Sequence, residues 1–250
     1  MTSLILALAA GAVVGLALGA LGGGGSVLAV PALIYLLGFS PAAATTASLV
    51  IVVLTSVTAL FAHARDGRVR WRTGLAFAAA GIGPALVGGA VAGRIPQALL
   101  TGAFGVLAAV VATRMLSTGR PGPTVGDRPA RPGRAAGVGA GLGAVTGVLG
   151  VGGGFLAVPA LVSGVGLRMR AAVGTSLLVI TINSLAALAL RAGAAEGLDW
   201  SIIAPFAGAA VLAAWDGRRL AAKASARALQ RTFAVALLAV AVFMLGDAML

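Results

Sequence analysis

"LGGGGSVLAVPAL" occupies residues 21–33, and "LGVGGGFLAVPAL" occupies residues 149–161. Each places a glycine cluster between two strongly apolar runs, with a proline a few residues on. Glycine costs about 1 kcal/mol relative to alanine inside a helix, so each cluster marks a break where the flanking pattern asks for continuous helix. The two stretches belong to a longer repeat. Shifted by 128, residues 19–49 and 147–177 are identical at sixteen of 31 positions, including Gly22/Gly150, Gly24/Gly152, Gly25/Gly153, Pro31/Pro159 and Gly38/Gly166. With one inserted residue, "TGAFGVLAAVVATRML" then lies over "QRTFAVALLAVAVFML".

The chain therefore reads as two copies of one unit, 1–116 and 135–250, joined by a Pro-, Gly- and Arg-rich linker at 117–134 that is expected to be irregular. Each copy holds five apolar segments: 2–21, 26–38, 41–62, 73–92 and 99–116 in the first, and 135–149, 155–166, 171–190, 200–215 and 232–250 in the second. The second segment of each copy is too short to span, because a crossing helix needs about 20 residues.

Composition places these segments in a membrane. Of 250 residues, 60% are hydrophobic and only 10% charged, and the mean hydropathy is +1.06. No gap is long enough for a separate soluble domain, and the N-terminus lacks the basic region of a secretory signal. The chain has no cysteine, one histidine and six carboxylates. No disulfide framework, no metal site and no cofactor is expected, and no nucleophile–base constellation points to an enzyme. The net charge of +12 comes from arginines in the gaps, which suits loops on a cytoplasmic membrane face better than a nucleic-acid partner.

Charge also sets the parity of crossings. If each glycine-flanked pair counted as one crossing, the 18 Lys and Arg residues would divide ten against eight. If each pair goes in and returns on the same side, all but Arg94 and Arg191 fall on one face. The positive-inside rule selects the second arrangement. It puts both termini outside and inverts the two copies relative to each other. The expected fold is an all-α polytopic membrane protein of two inverted repeats, each a glycine-tipped broken-helix hairpin plus three transmembrane helices. Residues 2–21 are also long enough to span fully. The two tips are expected to meet near the midplane.

At each tip a new helix begins, at Ser26 and Phe155. Its first N–H groups lack intrahelical partners and, with the helix dipole, form an anion site without a charged side chain. Gly23, Gly24, Gly25, Gly152, Gly153 and Gly154 are the candidate ligand-facing residues, with Ser26 beside them. The competing account is that these glycines only let helices pack closely. The following segment carries Thr45, Thr46, Ser48, Thr55, Ser56 and Thr58 in the first copy, and Thr175, Ser176, Thr181, Asn183 and Ser184 in the second. Thr45, Ser48, Thr175, Ser176 and Asn183 complete the candidate substrate site. Their hydroxyls and amide either line the same cavity or bond between helices. His63 is expected at the interface beside Arg65, and Trp71, Trp200 and Trp215 as interface anchors.

The doubled pattern "GGGGSVLAVPAL…ATTASLV" and "GVGGGFLAVPAL…AVGTSLL" resembles the sulfite exporter TauE/SafE family of membrane permeases, over essentially the whole chain. The resemblance implies transport of sulfite, sulfonates or related small organosulfur anions, often outward, across a cell inner (plasma) membrane. The stretch "AAWDGRRLAAK" departs from the family's small-residue pattern and puts the packing of 208–224 in question. Three functions follow as alternatives: a transporter of small anions, an anion channel, or a non-transporting membrane assembly protein. The expected partners are a small anionic substrate and the lipid bilayer, with no nucleic acid, and homo-oligomerisation is left open.

Overall fold

The computed structural model describes residues 2–22, 26–92, 96–117, 132–148, 154–190 and 198–249. Among these residues the regular structure is all helical. The first half contains α1 (Thr2–Leu21), α2 (Ser26–Pro31), α3 (Pro41–Arg65), α4 (Trp71–Ala92) and α5 (Gln97–Ser117). The second contains α6 (Pro132–Val148), α7 (Gly154–Pro159), α8 (Met169–Leu190), α9 (Trp200–Lys223) and α10 (Ala226–Met249). Four described stretches are long and apolar enough to cross a membrane: Ser3–Leu21, Ala43–Arg65, Met169–Ala189 and Trp200–Lys223.

Several boundaries differ from the sequence reading; α10, for one, begins at Ala226 rather than at residue 232. α6 begins at Pro132, inside the stretch expected to be irregular. A proline near the start of a helix costs nothing, because its missing N–H would have no intrahelical partner there. α9 continues to Lys223 rather than ending at residue 215. The sequence turns polar at Asp216, but Asp, Arg, Leu, Ala and Lys all sustain a helix. Falling hydropathy marked a change of surroundings, not the end of the helix. Most of the expected linker, 118–131, lies outside the described residues.

Both short helices end in the same way. α2 continues without interruption into a π-helical turn, Ala32–Leu36, and α7 into Ala160–Gly164. The wider turn follows Pro31 and Pro159 directly, where the proline ring displaces the usual hydrogen bond. Gly38 and Gly166 then turn the chain with φ of +72° and +84°, a conformation open chiefly to glycine. Past them the Phe39 N–H reaches back to the Leu33 carbonyl at 3.0 Å, and Leu167 to Leu161 at 2.9 Å. α3 then starts from Ser40, whose hydroxyl accepts from Ala43 N at 3.3 Å, with Pro41 in the first turn.

The helices pair across the halves. α1 lies along α9, α6 along α4, α3 along α8 and α5 along α10. Exchanging the two halves converts each pairing into another member of the same set. The α1–α9 and α6–α4 pairs are built from matching residues. A Cβ at Gly11, Gly15 or Gly19 would run into the carbonyl oxygens of Phe206, Ala210 and Ala214 in turn. A Cβ at Gly139, Gly143 or Gly147 would run into those of Phe77, Gly81 and Ala85. These are glycine ridges at every fourth position, the packing by which helices approach closely in lipid. In both pairs the contacts advance together along the two chains, so the helices run parallel.

Candidate functional site

The second broken arm is a true hairpin. The Arg134 Nε–H, in the first turn of α6, donates to the Gly164 carbonyl at the end of the π-turn at 2.7 Å. Its two ends therefore lie at the same end of the bundle. Other bonds gather the arginine-rich segments at that end. Arg170 at the start of α8 donates to the Ala224 carbonyl between α9 and α10 at 3.1 Å. Gln230 of α10 donates to the Met115 carbonyl near the end of α5 at 2.8 Å. Arg70 N–H, from the α3–α4 loop, donates to Thr175 Oγ1 of α8 at 3.0 Å. A pairing of each broken arm as one crossing would have set Arg134 and Gly164 on opposite sides.

The end of α1 has its own partners. Gly22 is left-handed, with φ +69°, and a Cβ there would stand 2.5 Å from Ser176 Oγ and 3.0 Å from the Val173 carbonyl. His63 Nε2 lies 3.3 Å from the Gly19 carbonyl, one of the last carbonyls of α1 that lack an intrahelical donor. His63 is thus buried, only 1% exposed, where the sequence placed it at the interface. Its neighbour in sequence, Asp66, pairs with Arg218 of α9. α1 therefore runs nearly to the arginine-rich end, as its 20 residues allow. A helix of that length is about 30 Å, close to the hydrocarbon thickness. The glycine end of α1 leaves it there rather than at the midplane. What meets across the halves is the pair of short helices themselves: α2 touches α7.

The remaining site residues fall as follows. Gly23, Gly24, Gly25, Gly152 and Gly153 lie outside the described residues. Ser26 and Gly154 open α2 and α7. Phe155, expected to start the second arm, is one residue inside α7. The Ser48 hydroxyl donates to the Thr45 carbonyl at 2.8 Å, and Ser176 to Val173 at 2.8 Å. Thr55 bonds the Ile51 carbonyl of its own helix. Back-bonding of this kind satisfies a buried hydroxyl locally. Asn183 Oδ1 is buried with no hydrogen-bond partner among the described residues. Thr181 Oγ1 of α8 lies 2.9 Å from Ser56 Oγ of α3, so at that level the hydroxyls bond between helices. Among the described residues no three His, Asp or Glu side chains converge.

The profile of the sulfite exporter TauE/SafE family matches residues 7–244, which reaches into every helix above. The chain belongs to the TauE/SafE family. It is similar to a "Probable membrane transporter protein" of Xylella fastidiosa strain 9a5c, 34% identical over 249 residues that cover 97% of this chain and 95% of the relative. A protein of the same printed name from strain Temecula1 / ATCC 700964 is 34% identical over the same shares. Within this TauE/SafE chain the 208–224 segment has a definite place. Gly217 packs so closely on Leu16 and Ala20 of α1 that no side chain fits, and Arg218 lies 4.9 Å over the Trp215 ring. The glycine ridges of α1 and α6 were the site-positioning feature that sequence reading missed. Their signal, "GAVVGLALG" and "GAGLGAVTG", was present in both copies.

Proposed function

We propose that the chain is a transmembrane transporter, an exporter of small anions such as sulfite, sulfonates and related organosulfur compounds. One observation carries the reading: the two broken arms, α2 and α7, come from different halves and touch. A broken helix is tolerated in a bilayer only where it is buried or lines a cavity. Two such arms in contact between halves have the form of a secondary-transporter pathway.

In this account the halves, 1–116 and 135–250, are inverted repeats, and the arginine-rich end with the 117–134 linker faces the cytoplasm. Both termini face outward across a cell inner membrane. The anion is met by backbone N–H groups where the arms begin, near Gly23, Gly24, Gly25 and Ser26 on one side and Gly152, Gly153 and Gly154 on the other. Ser48, Thr45, Thr175, Ser176 and Asn183 flank the path. The bilayer and the anion are its partners, and a second copy of the chain is compatible with it. The decisive experiment is efflux from proteoliposomes with sulfite and a panel of sulfonates. Saturable, substrate-selective flux supports the transporter, non-saturating flux indicates a channel, and no flux with any anion points to a membrane assembly protein.

A further inference from the structure

Asp66 lies in the short loop between α3 and α4, and Arg218 lies in the other half on α9. Arg218 Nη1 donates to both Asp66 oxygens, at 3.1 and 3.0 Å, and Arg68 adds a second cation at 3.5 Å. Four residues on, Arg70 N–H holds Thr175 Oγ1 of α8. Between them the Arg68 carbonyl closes over Gly174, where a Cβ would stand 2.9 Å from it. The next residue but one, Ser176, touches Gly22 at the end of α1. Residues 66–70 therefore form a strap over Gly174, beside the contact of Ser176 with Gly22, fastened to the opposite half at both ends.

The charged pair is not repeated at the matching sequence positions of the two copies. By the repeat register that matches Phe77 to Phe206, Arg218 corresponds to Gly89, and Asp66 corresponds to Ala194 or Ala195. The fastening is also light. Arg218 and Asp66 are 19% and 28% exposed, and pairs of that kind break readily. The glycine ridge of α1, by contrast, packs directly on the α9 backbone at Phe206, Ala210 and Ala214.

We propose that the 66–70 strap is the gate at the arginine-rich end, shut in this structure, and that the Asp66–Arg218 pair opens whenever Gly22 and Ser176 become accessible from that side. This rests on the transport reading above but is testable without a substrate. The chain has no cysteine, so Ser176→Cys supplies a single thiol beneath the strap. Its labelling by an impermeant thiol reagent is followed in membrane vesicles with the arginine-rich face outward. Asp66→Asn and Arg218→Gln should each raise the labelling rate, by about fivefold for loss of one partly exposed pair. Exchanging the charges, Asp66→Arg with Arg218→Asp, should return the rate towards that of Ser176→Cys alone. Unchanged labelling in both single variants overturns the proposal. So does a rise that the exchanged pair leaves in place, because that marks general loosening. Strap-dependent labelling together with absent anion flux would instead remove the transport reading and leave the strap standing.

Discussion

Gly143 of α6 stands where the Gly81 carbonyl of α4 leaves no room for a side chain, and Gly15 of α1 stands in the same relation to Ala210 of α9. Each half therefore hands one helix to the other. The halves cannot be separated without undoing two such seams.

The seams predict a contrast within one helix. Gly143→Ala places a methyl against a carbonyl, and overpacking of a tight contact costs about 1–3 kcal/mol. Gly141, two residues earlier, has nothing within 4 Å of where a Cβ would be. Gly141→Ala should be neutral or stabilise by about 0.5–1 kcal/mol, since it removes a helix glycine without a clash. Thermal unfolding of the purified protein in detergent reads both. Equal melting temperatures for the two variants would remove the seam.

Much of this architecture was legible in the sequence, and the reason lies in what glycine and proline do to a helix. The doubled "AVPAL" after a glycine cluster located both broken arms and both helix starts to within a residue. Charge in the gaps grouped Arg134, Arg170 and Arg218 at one end. Two features were not legible. The burial of His63 depends on the Gly19 carbonyl, which comes from a helix 44 residues away in the chain. The level at which α1 ends depends on its running parallel to α9, a fact of packing between halves. The hydroxyl residues could be read either way, because a serine that bonds its own helix and one that faces a ligand have the same local sequence.

The Ser56–Thr181 contact is a hydroxyl pair joining α3 to α8. Bonds of this kind in membrane helices average about 0.6 kcal/mol in double-mutant cycles. Ser56→Ala, Thr181→Val and the double variant should give a coupling of about that size in unfolding free energy. A coupling indistinguishable from zero would show that the hydroxyls do not bond each other.

The topology predicts where single thiols can be reached. Thr118→Cys falls in the linker and Ala222→Cys near the exposed end of α9. Both should be shielded from an impermeant thiol reagent in intact cells and should react once the membrane is opened. Labelling of both in intact cells would reverse the orientation.

Gly24→Val and Gly153→Val fill the space where a ligand would approach the backbone at the start of each broken arm. Anion flux should be lost in each while the protein still inserts and purifies. Normal flux in both variants would remove the glycine clusters from the substrate path.

The most direct measurement of the central claim is anion efflux from proteoliposomes under a clamped potassium diffusion potential. No carboxylate lies within the four apolar crossing stretches before the polar end of α9, so coupling to a proton or sodium through an acid is not expected. An inside-negative potential alone favours outward movement of an anion by about 2.3 kcal/mol per charge per 100 mV. That is roughly a fifty-fold gradient. The predicted result is saturable sulfite or sulfonate flux that follows the potential and is indifferent to pH and sodium gradients. Uphill flux at zero potential, driven by a pH gradient and abolished by His63→Ala, would contradict it.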